Sequence, residues 1–540
     1  MSYTSLGFLL FVLITAGVYF VFPLKKYRWT VLLAASYIFY CFASYKLVVF
    51  LLLTTFSTFI TALRIGRIAE NGRSELKEHK ADWDKTQKKE FKTELKRKKQ
   101  RIAVFAAVLN IGILAFLKYY NFFADNLNGL LEWGNVSSRI PALKLLLPLG
   151  ISFYTFQSVG YVVDVYREKI EPETNFAKYA LFVSFFPQII QGPISFYDQL
   201  AHQLYEPHAF SFHRAKHGCE LVLWGLFKKI IIADRAIIAI NTVLDNYYDY
   251  SGTTLTFVIL LYALQLYADF SGGIDISTGV AQIFGISLTR NFNRPYFATT
   301  INDYWRRWHI SLGAWMKEYV FYPLAISKSF TNVSKRIRAS KVGSTKFGSH
   351  VAKVLPTSFA SLIVFLLVGI WHGANWKYVG FGIWNGGIIM LSTLMEPLFA
   401  QLAVRLHLNV RSLGFRIFQM LRTFLIVCIG YVFDVAANLS DAMYTFSRMV
   451  ADQDWSRGLA EVTSLGLSNP DYLLLMICTA VLFAVSLYQE THADTTVREV
   501  LDRKPFLVRY VVWITAVMSL LIFGIYGPGF DPADFVYMQF

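Results

Sequence analysis

The sequence predicts an all-α protein that crosses a membrane many times. Of its 540 residues, 55% are hydrophobic and only 16% are charged, a balance that a water-soluble protein of this length would not have. The hydrophobic residues also form blocks that approach the roughly 20 residues needed to cross a bilayer as a helix. Backbone groups that face lipid must be paired within their own segment, so blocks of this length are expected to be helical.

Nine hydrophobic blocks are predicted to be membrane spans. In chain order they are residues 6–22, 29–44, 47–63, 102–117, 356–371, 378–395, 416–433, 471–487 and 508–525. The first block lacks a small-residue cleavage site and is followed at once by more apolar sequence, so we interpret it as a permanent span and not as a signal peptide. With the less regular centre of the chain included, roughly ten to thirteen crossings are expected.

The centre of the chain has a broken hydropathy pattern. Its apolar stretches carry prolines, amides and charged side chains; they are residues 145–163, 181–195, 220–240 and 256–285. Polar groups and helix breakers survive at membrane depth only where protein buries them or a water-filled cavity receives them. We therefore predict re-entrant helices and the walls of a tunnel in this part of the chain.

Two basic segments set the predicted orientation. Residues 64–101 hold fourteen Lys or Arg against seven Asp or Glu, and residues 328–353 hold seven Lys or Arg and no acid. Because Lys and Arg accumulate in cytoplasmic loops, both segments are predicted to be cytoplasmic, with the N-terminus and the tail residues Asp531 and Asp534 outside. Segment 64–101 is interpreted as a charged helix or helical hairpin. Topology and contact with anionic lipids account for the net charge of +16, so no nucleic-acid partner is expected.

The sequence predicts neither a metal site nor a bound cofactor. The four cysteines lie apart in apolar surroundings without a CxxC pair, which is typical of small buried side chains; they are Cys41, Cys219, Cys428 and Cys478. His213 and His217 have the i,i+4 spacing of a metal-binding pair, but no HExxH glutamate accompanies them.

His372 is the first candidate for chemistry. It closes the apolar block 356–371 and is followed by Gly373, Ala374 and Asn375. Ionisable groups at such depth are costly and usually functional. An imidazole is also suited to removing a proton from an alcohol near neutral pH. The alternative is a histidine whose hydrogen bonds are satisfied by a neighbouring helix.

His309 is the second candidate, in a run of aromatic and charged residues over 302–311. The adjacent Arg306 and Arg307 could hold the phosphates of a nucleotide-based donor or the carboxylates of a protein partner. The alternative is an interfacial helix anchored by tryptophan and arginine.

Five motifs, in this order, resemble the bacterial branch of the membrane-bound O-acyltransferase family. They are Leu147–Gln157 (LPLGISFYTFQ), Phe185–Pro193 (FFPQIIQGP), Tyr267–Gly272 (YADFSG), Asn302–Trp315 (NDYWRRWHISLGAW) and Gly369–Gly373 (GIWHG). The resemblance implies a single membrane domain over 1–540 with its catalytic core at 147–385. It implies a ring of tilted helices around a thin central region and a tunnel joining the two membrane faces.

The resemblance also implies roles for individual residues. It makes His372 the catalytic histidine and His309 its companion on the cytoplasmic side of the tunnel. Ten further residues, in these motifs or beside them, are expected to bind substrate or donor: Gln191, Asp269, Ser271, Asn302, Asp303, Trp305, Arg306, Arg307, Trp371 and Asn375.

The expected function is therefore O-acyl transfer in the bacterial cytoplasmic (inner) membrane. The expected donor is a cytoplasmic thioester, either acyl-CoA (acetyl-CoA first) or an acyl carrier protein. The expected acceptor is a hydroxyl of an extracytoplasmic polysaccharide, reached directly or through an SGNH-type partner acyltransferase. No GxSxG motif lies near these sites, which favours direct transfer. D-Alanyl transfer from a carrier protein to teichoic acid stays open, as does acylation of a lipid or protein hydroxyl. A secondary transporter, which would also have broken helices and buried polar residues, is the alternative from another class.

Overall fold

A computed structural model describes residues 3–493 and 495–526. Within those residues the chain consists of helices and their connections, without a strand, as predicted. Asp531 and Asp534, predicted to lie outside the membrane, fall beyond the described residues.

Twenty-four α-helices follow one another along the described chain. The first twelve are α1 Leu6–Val21, α2 Arg28–Ser44, α3 Val48–Glu78, α4 Lys85–Trp133, α5 Ile151–Tyr166, α6 Phe176–Ser184, α7 Phe186–Ile189, α8 Tyr197–Tyr205, α9 Phe212–Leu226, α10 Asp234–Leu244, α11 Gly252–Ile283 and α12 Ile301–Arg307. The others are α13 Ile310–Met316, α14 Tyr322–Ala325, α15 Lys328–Ala339, α16 Lys346–His372, α17 Trp376–Leu394, α18 Glu396–Arg405, α19 Leu413–Val435, α20 Leu439–Ala451, α21 Trp455–Val462, α22 Asn469–Thr491, α23 Val497–Asp502 and α24 Phe506–Phe523. Two π-helical segments, Phe227–Ala233 and Lys317–Phe321, join α9 to α10 and α13 to α14.

The protein is a multi-pass membrane protein. Seven described helices are long and apolar enough to cross a bilayer, namely α3, α4, α11, α16, α19, α22 and α24, and the bent pair α17–α18 would make an eighth. This count is lower than the ten to thirteen crossings expected. The predicted spans 6–22 and 29–44 are helical but fall below the length of these seven, and most of the chain between α4 and α16 folds into short helices.

Residues 256–285 are continuous where the sequence predicted a broken stretch, since most of them belong to the single helix α11. Its carboxylates Asp269 and Asp275 form ion pairs with Lys229 and Lys228. Charges at membrane depth are tolerated when they are paired with one another, so the polar residues of α11 do not interrupt the helix.

The charged segment 64–101 forms a helical hairpin, one of the two predicted forms. Its arms are the ends of α3 and α4, and each continues directly into an apolar stretch. Asp84 and Gln87 form a capping box that starts α4, because each side chain accepts a hydrogen bond from the backbone N–H of the other residue. With 49 residues, α4 is about 74 Å long, well beyond the roughly 40–45 Å of a whole bilayer.

Contacts between residues divide the described chain into two compact units. The first unit comprises the described residues within Met1–Cys219 and Ser277–Thr289, and the second comprises those within Glu220–Ile276 and Arg290–Phe540. The first unit has an aromatic core that includes the fully buried Phe39 and Phe186. The single domain over 1–540 and the central tunnel stay predictions.

The cysteines are only partly buried, contrary to expectation. Cys428 and Cys478 are buried, whereas Cys41 and Cys219 lie on outward faces of α2 and α9. An apolar neighbourhood in the sequence does not reveal which face of a helix a side chain occupies, and this explains the difference.

Helices α16 and α17 pack closely because glycines line their contact. A Cβ at Gly382 of α17 would lie 2.6 Å from the carbonyl oxygen of Phe365 and 3.0 Å from the Cα of Leu366 on α16. A Cβ at Gly369 would overlap the carbonyl oxygen of Tyr378. Close backbone approach of this kind is the usual reason for small residues between membrane helices.

Gly382→Ala is therefore expected to destabilise the protein by about 1–3 kcal/mol, because backbone atoms of α16 would have to move. The matched control is Gly387→Ala in the same helix, where no atom beyond the neighbouring backbone of that helix lies within 4 Å of the added Cβ. Thermal unfolding of the purified protein in detergent measures both effects. An equal melting temperature for the two variants would contradict the close packing of α16 on α17.

Candidate active site

His372 is the last residue of α16, and three residues connect it to α17. The connection is held by Asn375, whose side-chain oxygen accepts a hydrogen bond from the backbone N–H of Lys377 at 3.0 Å and whose side-chain amide donates to the carbonyl of Ala437 at 3.3 Å. Asn375, which was expected to bind substrate or donor, thus caps α17.

Aromatic rings surround the half-buried imidazole of His372. Its ring centroid lies 5.2 Å from that of Trp371, 5.4 Å from that of Phe381 and 6.2 Å from that of Tyr378. An imidazole in apolar surroundings keeps its function as a proton acceptor while water is limited around it.

His309 lies between α12 and α13 and is almost fully buried. Its backbone is left-handed, with φ of 46°, which is uncommon outside glycine. Two backbone hydrogen bonds hold the chain here: Ile310 donates to the carbonyl of Asn291 and Asn293 donates to the carbonyl of Arg307, both at 2.9 Å. The conformation directs the ring into the interior of the second unit.

Asn291 determines which nitrogen of His309 carries the proton. The side-chain oxygen of Asn291 accepts from the backbone N–H of Ser311 at 3.0 Å and from its hydroxyl at 2.9 Å, and it lies 3.2 Å from His309 Nδ1. Since this oxygen can only accept, Nδ1 must be the protonated nitrogen and Nε2 is the acceptor. His309 does not belong to any of the helices that are long enough to span a membrane. Its pKa is lowered well below the usual value for histidine, mainly by burial and secondly by the nearby charge of His372.

Trp371 contacts both histidines. Its ring centroid lies 6.1 Å from that of His309 and 5.2 Å from that of His372. Phe270 of α11 packs edge-on against His309 at 4.9 Å. The structure therefore brings together His309, His372 and Trp371, which lie on two separate motifs of the sequence.

Arg307 and Asp303 are engaged within the protein. Arg307 forms ion pairs with Asp303 at 3.1 Å and with Glu490 of α22 at 3.0 Å, and Arg294 binds Glu490 at 2.6 Å. This cluster fastens α12 to α22. Sequence reasoning missed Glu490 and Arg294; a glutamate at the end of an apolar span was the available signal.

The other α12 residues divide between interior and surface. Trp305 donates from Nε1 to the side-chain oxygen of Asn385 at 3.2 Å, which links α12 to α17. Asn302 and Arg306 are exposed. Of the two adjacent arginines, Arg306 is thus the one directed outward.

Asp269 and Ser271 lie within a buried ionic cluster. Asp269 binds Lys229 Nζ at 2.6 Å, and Ser271 accepts a hydrogen bond from Lys228 Nζ at 2.7 Å. Lys229 also binds Asp234 at 2.9 Å. Both lysines lie on the π-helical segment Phe227–Ala233, an irregularity that often marks functional sites.

Gln191 belongs to the first unit, just after α7, and its side chain is fully buried. The two histidines both belong to the second unit.

Comparisons with known proteins agree on one family. Residues 173–336 match the family model described as MBOAT, membrane-bound O-acyltransferase family. A probable alginate O-acetylase of Azotobacter vinelandii is 29% identical over 477 residues, covering 87% of this chain and 82% of the relative. The peptidoglycan O-acetyltransferase of Helicobacter pylori is 30% identical over 480 residues, covering 83% and 78%. The teichoic acid D-alanyltransferase of Bacillus subtilis is 26% identical over 270 residues, covering 47% and 61%.

Proposed function

Because the chain belongs to the membrane-bound O-acyltransferase family and is an O-acyltransferase, we propose that it transfers an acetyl group from a cytoplasmic thioester to a polysaccharide hydroxyl outside the cytoplasm. The acetyl group and the polysaccharide acceptor are supported by relatives that are named for O-acetylating alginate and peptidoglycan. The observation that carries the catalytic part of the proposal is the contact of His372 and His309 with the same tryptophan.

His372 is the proposed general base. It takes the proton of the acceptor hydroxyl as the oxygen attacks the thioester carbonyl. The new C–O bond forms, the C–S bond breaks, and the proton passes to the departing sulfur, so that an ester and a free thiol result. The neighbouring Tyr378, Phe381 and Trp371 limit water around the imidazole, which favours the acceptor hydroxyl over hydrolysis.

His309 is proposed to position the donor. With Nδ1 protonated towards Asn291, the neutral ring presents an acceptor at Nε2. It is therefore suited to receive a hydrogen bond from an amide N–H of a pantetheine-type donor and not to polarise the thioester carbonyl. Arg306 and Asn302, which are exposed, are better placed to meet donor phosphates than Arg307, which is paired with Glu490.

The distribution of Lys and Arg supports the proposed orientation. We propose that the protein lies in the bacterial inner membrane with the N-terminus outside and with segments 64–101 and 328–353 in the cytoplasm. An SGNH-type partner that completes transfer to the polymer is compatible with this arrangement, since the acetyl group would leave at the outer face. The acyl donor is a substrate and not a resident cofactor.

D-Alanyl transfer from a carrier protein is the second candidate. Its support is the similarity to a teichoic acid D-alanyltransferase over about half of this chain. A basic cytoplasmic hairpin would attract an acidic carrier protein.

Sealed vesicles that contain the purified protein test the proposal. Radiolabelled acetyl-CoA, which does not cross bilayers, is added outside, and polysaccharide fragments are enclosed inside. Label is expected in ester linkage on the enclosed fragments, and only in vesicles whose segment 64–101 is accessible to external protease. Label transfer from a D-alanyl carrier but not from acetyl-CoA would favour the second candidate. Vesicles that form no ester from either donor would refute direct transfer to the polysaccharide by this chain alone.

A further inference from the structure

The helical hairpin of the first unit lines a basic cavity that is partly open to solvent. The cavity has a volume of about 630 Å³ and lies between α3, α4 and the end of α5. Its charged lining residues are Arg73, Lys92, Lys96, Lys99, Arg167 and Glu168. Five cations against one carboxylate leave an excess of four positive charges around a single concave space.

Glu168 organises the inner end of this cavity. It is ion-paired with the buried Lys99 and lies 3.6 Å from Arg73. Its backbone is left-handed, with φ of 58°, a conformation that a glycine would adopt more easily. The pairing with Lys99, helped by Arg73, lowers the pKa of the Glu168 carboxyl and keeps it ionised. Its single negative charge is thus used within the protein, and the excess of cations faces the cavity.

The cavity is open to solvent, since Arg73, Lys92 and Lys96 are exposed, but close helix packing fixes its floor. A Cβ at Gly72 would overlap the side chain of Leu95, so α3 and α4 approach closely at the cavity floor. Leu76, Leu95 and Tyr166 give that floor an apolar and aromatic character. Lys85, Lys88 and Lys89 lie on the same face of α4 as Lys92 and Lys96, and this open basic face extends the lining of the cavity along the helix.

The position of the cavity along α4 restricts which ligands can reach it. The apolar stretch of α4 begins at Ile102, and helices rise about 1.5 Å per residue. Lys99 and Lys92 therefore lie about 5 and 15 Å beyond the apolar stretch. Phosphates of lipid headgroups reach the inner part of this range, and a soluble ligand reaches all of it.

We propose that this cavity binds a ligand that carries two or more phosphate groups. Phosphates are the anions that converging Arg and Lys side chains recognise best, and an excess of four positive charges matches two or more of them. The apolar floor with Tyr166 accommodates the organic part of such a ligand. The inference concerns a site that none of the proposed catalytic residues forms, and it stands whether or not the proposed function is correct.

The first test measures binding of adenosine 3′,5′-bisphosphate to the full-length protein in an uncharged detergent. The double variant Lys92→Gln/Lys96→Gln is expected to bind about tenfold more weakly than the unaltered protein, because two of the lining charges are lost. The matched control is Arg97→Gln/Arg101→Gln, which removes two exposed charges at the same spacing on α4 but outside the cavity and the basic face that extends it. The proposal would be overturned if both double variants weakened nucleotide binding equally. It would also be overturned if the unaltered protein bound neither the nucleotide nor cardiolipin.

The second test identifies the source of the phosphates. The same proteins are placed in nanodiscs of phosphatidylcholine with or without cardiolipin, a lipid with two phosphates. If cardiolipin displaces the nucleotide from the unaltered protein but not from the Lys92→Gln/Lys96→Gln variant, the phosphates belong to a lipid headgroup. Nucleotide binding that cardiolipin leaves unchanged would support a soluble ligand. Capture of an acidic protein with neither phosphate probe bound would overturn the inference. His372→Ala is expected to bind the probe normally, which separates this site from the proposed function.

Discussion

His372→Ala is expected to lower the rate of acyl transfer by about 10²–10⁴-fold, the usual contribution of a positioned general base. The acceptor hydroxyl is a weak nucleophile, and without the imidazole its proton has no acceptor at the moment of attack. Residual activity would come from the positioning of donor and acceptor by the remaining site. The rate is measured as ester formed from labelled acetyl-CoA by the purified protein.

Two controls separate chemistry from folding. The exposed His202 of α8 is the matched substitution, and His202→Ala is expected to transfer at the normal rate. The melting temperature of His372→Ala should stay close to that of the unaltered protein, because His372 is only half-buried. Added imidazole should restore part of the activity by entering the vacated space, an effect that a purely structural histidine would not show. A near-normal rate for His372→Ala would disprove its role as the base.

Lys229→Met is expected to cause the largest loss of stability, about 3–5 kcal/mol. Lys229 is the cation shared by Asp234 and Asp269, and all three side chains are almost completely buried. Removing it leaves two carboxylates facing each other without compensation. The change should appear as a lower melting temperature and a reduced yield of monodisperse protein from the membrane.

The triple variant Lys229→Met/Asp234→Asn/Asp269→Asn tests the cause. Neutralising the two carboxylates together with the lysine is expected to recover much of the lost stability, because no unpaired charge stays buried. Recovered stability with normal acyl transfer would assign Asp269 to folding. If the triple variant recovers stability but still does not transfer acyl groups, Asp269 has the donor-binding role that its motif suggests. A single Lys229→Met variant as stable as the unaltered protein would refute the ionic account of this cluster.

Membrane character and family were readable from the sequence because both are local properties. Most of the predicted spans lie in helices of span length, since a run of apolar residues is itself the cause of membrane insertion. The family motifs are short and contiguous, and the comparisons confirmed what they indicated. The charged segment 64–101 could likewise be assigned to a helix or hairpin from its composition alone.

Contacts between residues that lie far apart in the sequence could not be predicted in this way. Asp269 lay in a stretch predicted to be broken and was a candidate donor ligand, but Lys229, forty residues earlier, neutralises it and allows α11 to continue. Arg307 looked available for phosphates until Glu490, at the end of a distant apolar helix, was found beside it. Asn375 lay in the motif region but caps α17.

For this protein the sequence by itself determined the fold class, the family and the two histidines worth testing. Only the tertiary structure decided that Trp371 contacts both of them, that Asn291 sets the protonated nitrogen of His309, and that a basic cavity is built into the hairpin. The physical reason is the distance along the chain over which each property is determined. Hydropathy and helix formation depend on neighbours in the chain, whereas the pairing of buried charges and the shape of a cavity depend on residues that only folding brings into contact.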